Sequence, residues 1–152
     1  LIVNTSRGSV ARSISYLDEE SDSISHENNF VECLRFAFLA KKSKAAILDL
    51  TKWSEKLASI SRDQQKDFLS YCSYLIREAM LISYSSKSLG SFSSNTDFKI
   101  DKLSPFVHSS NLIEIISLIE DCHYSISRNV NSKIVFTNFA ITLTKLINKE
   151  EV

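Results

Sequence analysis

The sequence predicts an all-α protein, a compact bundle of about five main helices. Only two Gly and one Pro occur in 152 residues, whereas average usage would supply about ten and about eight. A β-sandwich or barrel needs many turn residues, and a nucleotide-binding α/β fold needs glycines where its backbone approaches phosphate. The apolar residues, 43% of the chain, recur at three- and four-residue spacing, which is typical of amphipathic helices. Helices joined by Ser- and Asn-rich loops are therefore expected.

The start of the chain predicts a short helix, a link and a longer helix. Val10, Ile14 and Leu17 would share one face of a helix over about residues 9 to 17. The acidic, Ser-rich stretch that follows is expected to be a linker. A helix is then predicted from about Asn28 to Lys42. Its wide apolar stripe contains Phe30, Val31, Leu34, Ala37, Phe38 and Leu39.

Two further helices have recognisable starts. Ser43 is predicted to cap a helix from Lys44 to about Ile60. Ser61 and Gln64 form a capping-box pattern for a long helix that reaches about Ser83. The inward positions of the first are Ala46, Ile47, Leu50, Trp53, Leu57 and Ile60, and those of the second are Phe68, Leu69, Cys72, Leu75, Ile76, Ala79, Met80 and Ile82.

A polar stretch separates these helices from the second half of the chain. Residues 85 to 96 are rich in Ser and are expected to form a surface loop. A short helical piece is predicted from about Asp97 to Lys102. Pro105 lacks a backbone amide and disfavours helix at its predecessor, so the chain is expected to turn there.

The second half predicts two strong helices. Asn111 and Glu114 repeat the capping-box pattern before a helix that ends near Asn129. A tight connection then leads into a final helix from Lys133 to about Lys149. The β-branched content from Ile134 to Thr144 leaves a strand open as an alternative. The first of these helices contains Leu112, Ile115, Ile116, Ile119, Cys122, His123 and Ile126, and the last is expected to bury Ile134, Phe136, Phe139, Ala140, Leu143 and Leu146 or Ile147.

Charge and hydropathy argue against several classes of function. Eighteen basic residues balance 18 acidic ones, so the formal net charge is +0, which disfavours a chain-wide surface for nucleic acid or anionic membranes. The basic stretch from Arg35 to Lys66 leaves a polyanion-binding patch open, although solvated helix faces explain most such runs. No uncharged stretch approaches the roughly 18 apolar residues of a membrane span. No secretion signal is recognised, so a cytoplasmic location is expected.

The residues that could bind metal or act as nucleophiles are scattered. Cys33, Cys72 and Cys122 fit no Cys-x-x-Cys pattern and fall on apolar stripes, so buried, reduced thiols are expected. Cys122 and His123 are adjacent, but neighbouring helix positions point about 100° apart. The histidines, which are expected to be structural, are His26, His108 and His123.

Motifs for catalysis and nucleotide binding are missing from the sequence. Gly8 and Gly90 are too isolated to build a phosphate-binding loop, and no Ser lies in a nucleophile elbow. One series leaves base stacking open, although its spacing favours a core stripe with a charged flank: Phe68, Tyr71 and Tyr74 beside Arg62, Lys66 and Arg77. No catalytic, cofactor-binding or metal-binding residues are predicted, and an interaction domain without enzyme activity is expected.

Several segments share a pattern with one known family. They are Ser-Arg-Asp-Gln-Gln-Lys-Asp-Phe-Leu-Ser-Tyr over residues 61 to 71, Leu-Ile-Arg-Glu over 75 to 78, Asp97-Phe98, Ser104-Pro105-Phe106, Asn111 and Ser-Arg-Asn-Val-Asn-Ser-Lys-Ile-Val-Phe over 127 to 136. Together, over about residues 30 to 148, they resemble the C-terminal domain of the delta-prime subunits of the bacterial DNA polymerase III clamp loader. Residues 6 to 13 are similar to the end of the lid subdomain of clamp-loader AAA+ modules.

The resemblance implies a domain organisation and a function. Residues 1–24 would be a remnant of the AAA+ lid and residues 25–152 a helical collar domain, the C-terminal part of a longer, cytoplasmic bacterial protein. In that family, the domain forms one sector of a pentameric collar that holds the loader together while the AAA+ modules open the sliding clamp during DNA replication. The parent protein is regarded as having no ATP hydrolysis of its own.

The resemblance also implies partners. These are the gamma/tau and delta subunits, which the domain would meet through the collar, whereas the sliding clamp and primer-template DNA would be reached only indirectly. Neither a membrane nor a small-molecule substrate or cofactor is implied. The chain lacks the AAA+ base with its zinc-binding module and Ser-Arg-Cys motif, so no site residues are carried over.

The polar residues of the matching segments have two interpretations. Arg62, Gln65, Arg128 and Asn131 could contact partners, but helix capping and packing are favoured. An unrelated cytoplasmic all-helical adaptor or regulatory interaction module remains the alternative function.

Overall fold

The computed structural model describes residues 10–84 and 100–149. Five α-helices follow one another: α1 (Val10–Ala40), α2 (Ala45–Ala58), α3 (Arg62–Tyr84), α4 (Leu112–Ser127) and α5 (Ser132–Ile147). Two short 3-10 helices, Ile100–Lys102 and Ser104–Phe106, precede α4. No strand occurs in these described ranges, so the all-α prediction is confirmed and the strand alternative for residues 134 to 144 is wrong. The predicted loop over residues 85 to 96 lies outside the described residues.

The first helix is longer than the sequence suggested. α1 has 31 residues and runs without a break through the stretch predicted to be an acidic link. Neither Gly nor Pro occurs between residues 10 and 40, so the backbone meets neither of the two strongest helix breakers. The prediction of a separate short helix and linker is therefore wrong. The boundary between residues 24 and 25 falls inside this helix and stays a prediction.

The helices pack around one aromatic cluster. α3 packs on α4 and α2 on α5, α5 also contacts α4, and α1 lies against α2, α3 and α5. Trp53 of α2 is fully buried at the centre, with its ring centroid 5.9 Å from Phe68 of α3 and 6.1 and 5.9 Å from Phe136 and Phe139 of α5. Its indole Nε1–H donates to the carbonyl of Asn29 at 2.9 Å. The buried indole therefore joins three helices without leaving its polar atom unsatisfied.

The predicted helix caps are partly right. The Ser61 hydroxyl accepts from the Gln64 amide at 3.2 Å, as a capping Ser should. Ser43 does not cap α2, because Lys44 occupies the N-cap position and supplies no side-chain bond. Asn111 occupies the N-cap position of α4, yet its side-chain oxygen accepts instead from the His108 amide at 3.0 Å. The capping box predicted with Glu114 is therefore wrong.

The connection between α4 and α5 is built by two asparagines. Asn129 has φ 63°, a left-handed conformation that Asn tolerates better than most residues. Its amide donates to the Ile126 carbonyl and the Val130 amide donates to the Ser125 carbonyl, which is the Schellman arrangement at a helix end. The Asn131 side chain then caps α5 by accepting from the amides of residues 133 and 134. The predicted tight connection is confirmed.

Candidate interaction surface

The polar residues of the matching segments hold helix ends together. Gln65 is 1% exposed, and its Nε2 donates to the carbonyls of Leu57 and Ile60 at 2.9 and 3.0 Å. Its Oε1 accepts from the Ser132 hydroxyl at 2.9 Å. A single amide of α3 thus satisfies carbonyls at the end of α2 and ties both to the start of α5.

The two arginines and Asn131 act at the neighbouring junction. Arg62 donates to the carbonyls of Ile126 and Val130 at 3.2 and 3.0 Å, which joins the start of α3 to the end of α4. Arg128 lies over the Tyr124 ring, 5.5 Å from its centroid, a cation–π contact within one helix end. Because Asn131 caps α5, all of the matching polar residues have structural partners. The favoured role as caps and packing elements is confirmed for Arg62, Gln65 and Asn131, and the alternative of partner contacts stays a prediction.

The three cysteines are buried, unpaired thiols, as predicted. Cys33, Cys72 and Cys122 come from α1, α3 and α4 and belong to the same core. Burial raises the pKa of all three, that of Cys122 to about 12, because a thiolate loses its hydration in an apolar core. They are consequently poor nucleophiles and poor metal ligands at neutral pH.

The three histidines lie apart from one another. His26 packs on Phe68 and Tyr71, with centroids 6.0 and 6.3 Å away. His108 lies before α4, with Nε2 3.1 Å from the Lys149 carbonyl. His123 faces a cleft between α3 and α4. Across the described ranges, no group of three or more His, Cys, Asp and Glu side chains could hold a metal ion.

The aromatic series considered for base stacking is split between the core and the surface. Phe68 is fully buried and cannot stack on a base. The Tyr71 hydroxyl donates to the Glu27 carboxylate at 3.1 Å, and the Tyr74 ring lies 5.9 Å from Tyr71 at an interplanar angle of 49°. The series is therefore a core stripe with a half-exposed edge, which is the interpretation that its spacing favoured.

Several large apolar side chains remain exposed on the finished bundle. On α2 and α5 they include Ile47 at 53%, Ile134 at 65% and Ile141 at 47% exposure. Ile47 and Ile134 belong to the stripes predicted to face inward, so these two predictions are wrong. Both lie at the edge of their stripe, where none of the described helices covers them. Single exposed apolar residues are ordinary, but a contiguous apolar strip marks an interaction surface.

Ile47 and Ile141 line one apolar groove on the outside of the bundle, here called the α2–α5 groove. It encloses about 300 Å³ and is lined mainly by Ile47, Thr51 and Ser54 of α2 and by Thr137, Ile141 and Thr144 of α5. The two helices are antiparallel, since Lys133 at the start of α5 pairs with Glu55 near the end of α2 at 3.2 Å. The groove could not be predicted from the sequence, because the residues that line it fit a core stripe or a neutral surface equally well.

Three of the four hydroxyl groups that line the groove donate hydrogen bonds within their own helices. Thr51 donates to the Ile47 carbonyl at 3.1 Å, Ser54 to the Leu50 carbonyl at 2.9 Å and Thr144 to the Ala140 carbonyl at 2.7 Å. Each bond spans four residues of one helix. These side chains therefore present mainly their carbon atoms to a partner, and the groove is more apolar than its Ser and Thr content suggests.

Lysines without an ion pair among the described residues lie at one end of the groove and in the adjoining α1–α2 connection. Lys41 and Lys42 follow α1, Lys44 precedes α2, and Lys145 lines the groove from α5. The ion pairs of the described residues involve Lys56, Lys66, Lys133 and Lys149 instead. The other end carries the Glu55–Lys133 pair and is neutral. The groove thus has a basic end and a neutral end.

Known proteins add no functional assignment. Comparison with protein-family models, with curated proteins and with solved structures finds no match for this chain. Within residues 10–84 and 100–149, no helix combines the length and the apolar character needed to cross a membrane.

Proposed function

We propose that the chain is a non-catalytic oligomerisation domain of a DNA polymerase III clamp-loader subunit of the delta-prime type. It would form one sector of the helical collar that holds the loader together while the sliding clamp is opened and placed on DNA. The neighbours would be gamma/tau and delta subunits, and the compartment the bacterial cytoplasm. The domain has no catalytic step of its own in this proposal, since the sequence carries neither a phosphate loop nor a nucleophile elbow.

The apolar α2–α5 groove is the observation that carries the interaction part of the proposal. A collar sector must bury surface against neighbours, and specific interfaces typically bury about 1,200 to 2,000 Å² in total. Exposed isoleucines on two adjacent helices provide apolar surface, and its removal from water on binding is favourable. The loader assignment itself rests on the resemblance of the segments between about residues 30 and 148.

The role of the matching residues is consistent with a shared fold. Gln65, Arg62 and Asn131 fix how α3, α4 and α5 meet. These contacts set the geometry of the bundle, which is the level at which the resemblance implies a fold. This supports the proposal at the level of the domain.

Assembly of the loader tests the proposal. The full-length parent protein and a version that lacks residues 25–152 would each be mixed with the gamma/tau and delta subunits of the same organism. The mixtures would be analysed by size-exclusion chromatography. We expect the full-length protein to enter a stable complex and the truncated protein to enter it weakly or not at all. If both assemble equally well, the collar proposal is wrong.

The alternative is an unrelated all-helical adaptor or regulatory module. The groove favours it as much as it favours the collar, because a groove of about 300 Å³ can take up a few apolar side chains from any partner. An open reading frame without an AAA+ module upstream of this domain would decide for the adaptor.

A further inference from the structure

We propose that the α2–α5 groove binds one amphipathic helix of a partner protein, and that the first turn of this helix is acidic. The inference rests on the proposed interaction function and adds the chemistry and orientation of what is bound. Its basis is the shape of the groove, the hydrogen bonds of its hydroxyl groups and the placement of the lysines.

The shape of the groove suits a helix. Two antiparallel helices form its sides, with Ile47 and Ile141 as half-exposed walls and the small side chains of Ala40, Ala140 and Ser54 toward its floor. Large side chains of a third helix can enter between such ridges. Helices bound in this way use apolar anchors at positions i, i+4 and i+7. From residue 47 to residue 54, α2 rises about 10 Å, or about two turns, so a helix of about three turns would cover the groove.

The hydrogen bonds of three hydroxyl groups in the groove argue against a polar small molecule as its ligand. A small-molecule site needs a few convergent polar groups to orient its ligand. Thr51, Ser54 and Thr144 direct their donors to carbonyls of their own helices. Binding through this surface would therefore depend on apolar burial, which an aliphatic helix face supplies.

The lysines set the orientation. Lys145 lines the groove near the end of α5, and Lys41, Lys42 and Lys44 lie in the α1–α2 connection at the same end. None of these four side-chain ammonium groups has an ion pair or hydrogen bond within the described ranges. Acidic side chains are most favourable in the first turn of a helix, because of the helix dipole. A partner helix would therefore place its start at the lysines and run parallel to α2.

A second copy of the chain is a poorer occupant. In a twofold dimer formed groove to groove, the basic end of one copy would meet either the basic end or the neutral end of the other. Neither arrangement supplies acidic side chains to the four lysines. Charge complementarity therefore favours a different chain.

Two designed peptides test the inference on the 152-residue chain. Both are 15-residue helices with Leu at positions 5, 9 and 12; one carries three Glu in its first turn and the other carries three Lys there. Calorimetric titration in 50 mM salt should show the acidic peptide binding about tenfold or more tightly than the basic one, as expected for several exposed charge pairs. The difference should shrink at 300 mM salt, because the lysines are solvent-exposed.

Matched variants locate the site. Ile141→Lys should weaken acidic-peptide binding at least about tenfold by placing a charge against the apolar anchors. Lys145→Glu should reduce or reverse the preference for the acidic peptide. Ile113→Lys is the control, since Ile113 is 75% exposed on α4, outside the groove lining, and should leave binding unchanged. Circular dichroism would verify that each variant is folded.

The inference is overturned by any of three results. These are absence of binding by the acidic peptide, equal binding of both peptides, or a solution dimer of the chain that Ile141→Lys converts to a monomer. The outcome is independent of the loader test. If the groove binds the acidic peptide but the parent assembles without this domain, the collar proposal fails and the groove stands; if the loader assembles through this domain but neither peptide binds, only the groove inference fails.

Discussion

His26 shows how burial alone changes the chemistry of a side chain in this protein. It is 7% exposed, and its Nδ1 atom has no hydrogen-bond partner among the described residues. Burial lowers the pKa of His26, because the imidazolium loses hydration; the negative charges of Asp22 and Asp67 oppose this shift and do not cancel it. Phe68 and Tyr71 cover the ring from α3. The folded protein therefore favours the neutral ring.

The shift predicts that the protein loses stability as the pH falls. The unfolded chain takes up a proton at His26 near the ordinary pKa of 6.5, while the folded protein takes it up only at lower pH. Between these two values the unfolded state binds more protons, so the free energy of unfolding falls as the pH is lowered below about 6.5. Urea unfolding of the wild type at pH 7.5 and 5.5 should show this fall.

A pair of variants assigns the effect to this residue. His26→Gln should show a smaller fall in the free energy of unfolding between pH 7.5 and 5.5 than the wild type. Asn28→Gln, at an exposed position of the same helix, should retain the fall of the wild type. An equal fall in His26→Gln and the wild type would mean that other groups cause it.

At the scale of the elements, α2, α3, α4 and α5 could be predicted because their apolar positions repeat at helical spacing over 14 to 23 residues. The predicted inner faces are confirmed where Trp53, Phe68, Phe136 and Phe139 meet. The prediction of an acidic link was wrong. It rested on the low intrinsic helix propensity of Ser and Asp, which is a weak effect in a long helix that no Gly or Pro interrupts. The role of the Asn111 side chain could not be predicted either, because its Nδ2 donates to the carbonyl of Leu146, which is distant in sequence.

Gln65 is the clearest case of one side chain joining elements. Gln65→Leu removes the donor for the Leu57 and Ile60 carbonyls and the acceptor for Ser132. Leaving buried polar groups without partners should lower the free energy of unfolding by about 2 to 3 kcal/mol. Gln64→Leu is the matched control, because the neighbouring Gln64 is exposed and should change stability by less than about 0.5 kcal/mol. Similar losses in the two urea titrations would contradict the role given to Gln65.

At the scale of the whole molecule, the candidate surface is what five helices leave uncovered. The apolar stripes of α2 and α5 extend beyond what their neighbours can cover, and Ile47, Ile134 and Ile141 are the excess. Periodicity identifies a wide stripe but does not tell which edge of it a neighbour covers, because that depends on how the helices are arranged. The basic stretch from Arg35 to Lys66 could likewise be connected with a surface only from the structure, in which the α1–α2 connection with its three lysines directly follows Ala40 of the groove lining.

The thiols report whether the bundle opens as one unit. Cys33, Cys72 and Cys122 lie on three helices but in one continuous core, and their raised pKa values add to the protection given by burial. If only global unfolding exposes them, all three should react with iodoacetamide at pH 8 at similar rates, about a thousandfold or more slowly than in the urea-unfolded chain. Mass spectrometry of peptides after timed labelling measures each rate separately. Faster labelling of Cys33 alone would show that α1 detaches from a bundle that otherwise stays folded, and would contradict a single cooperative core.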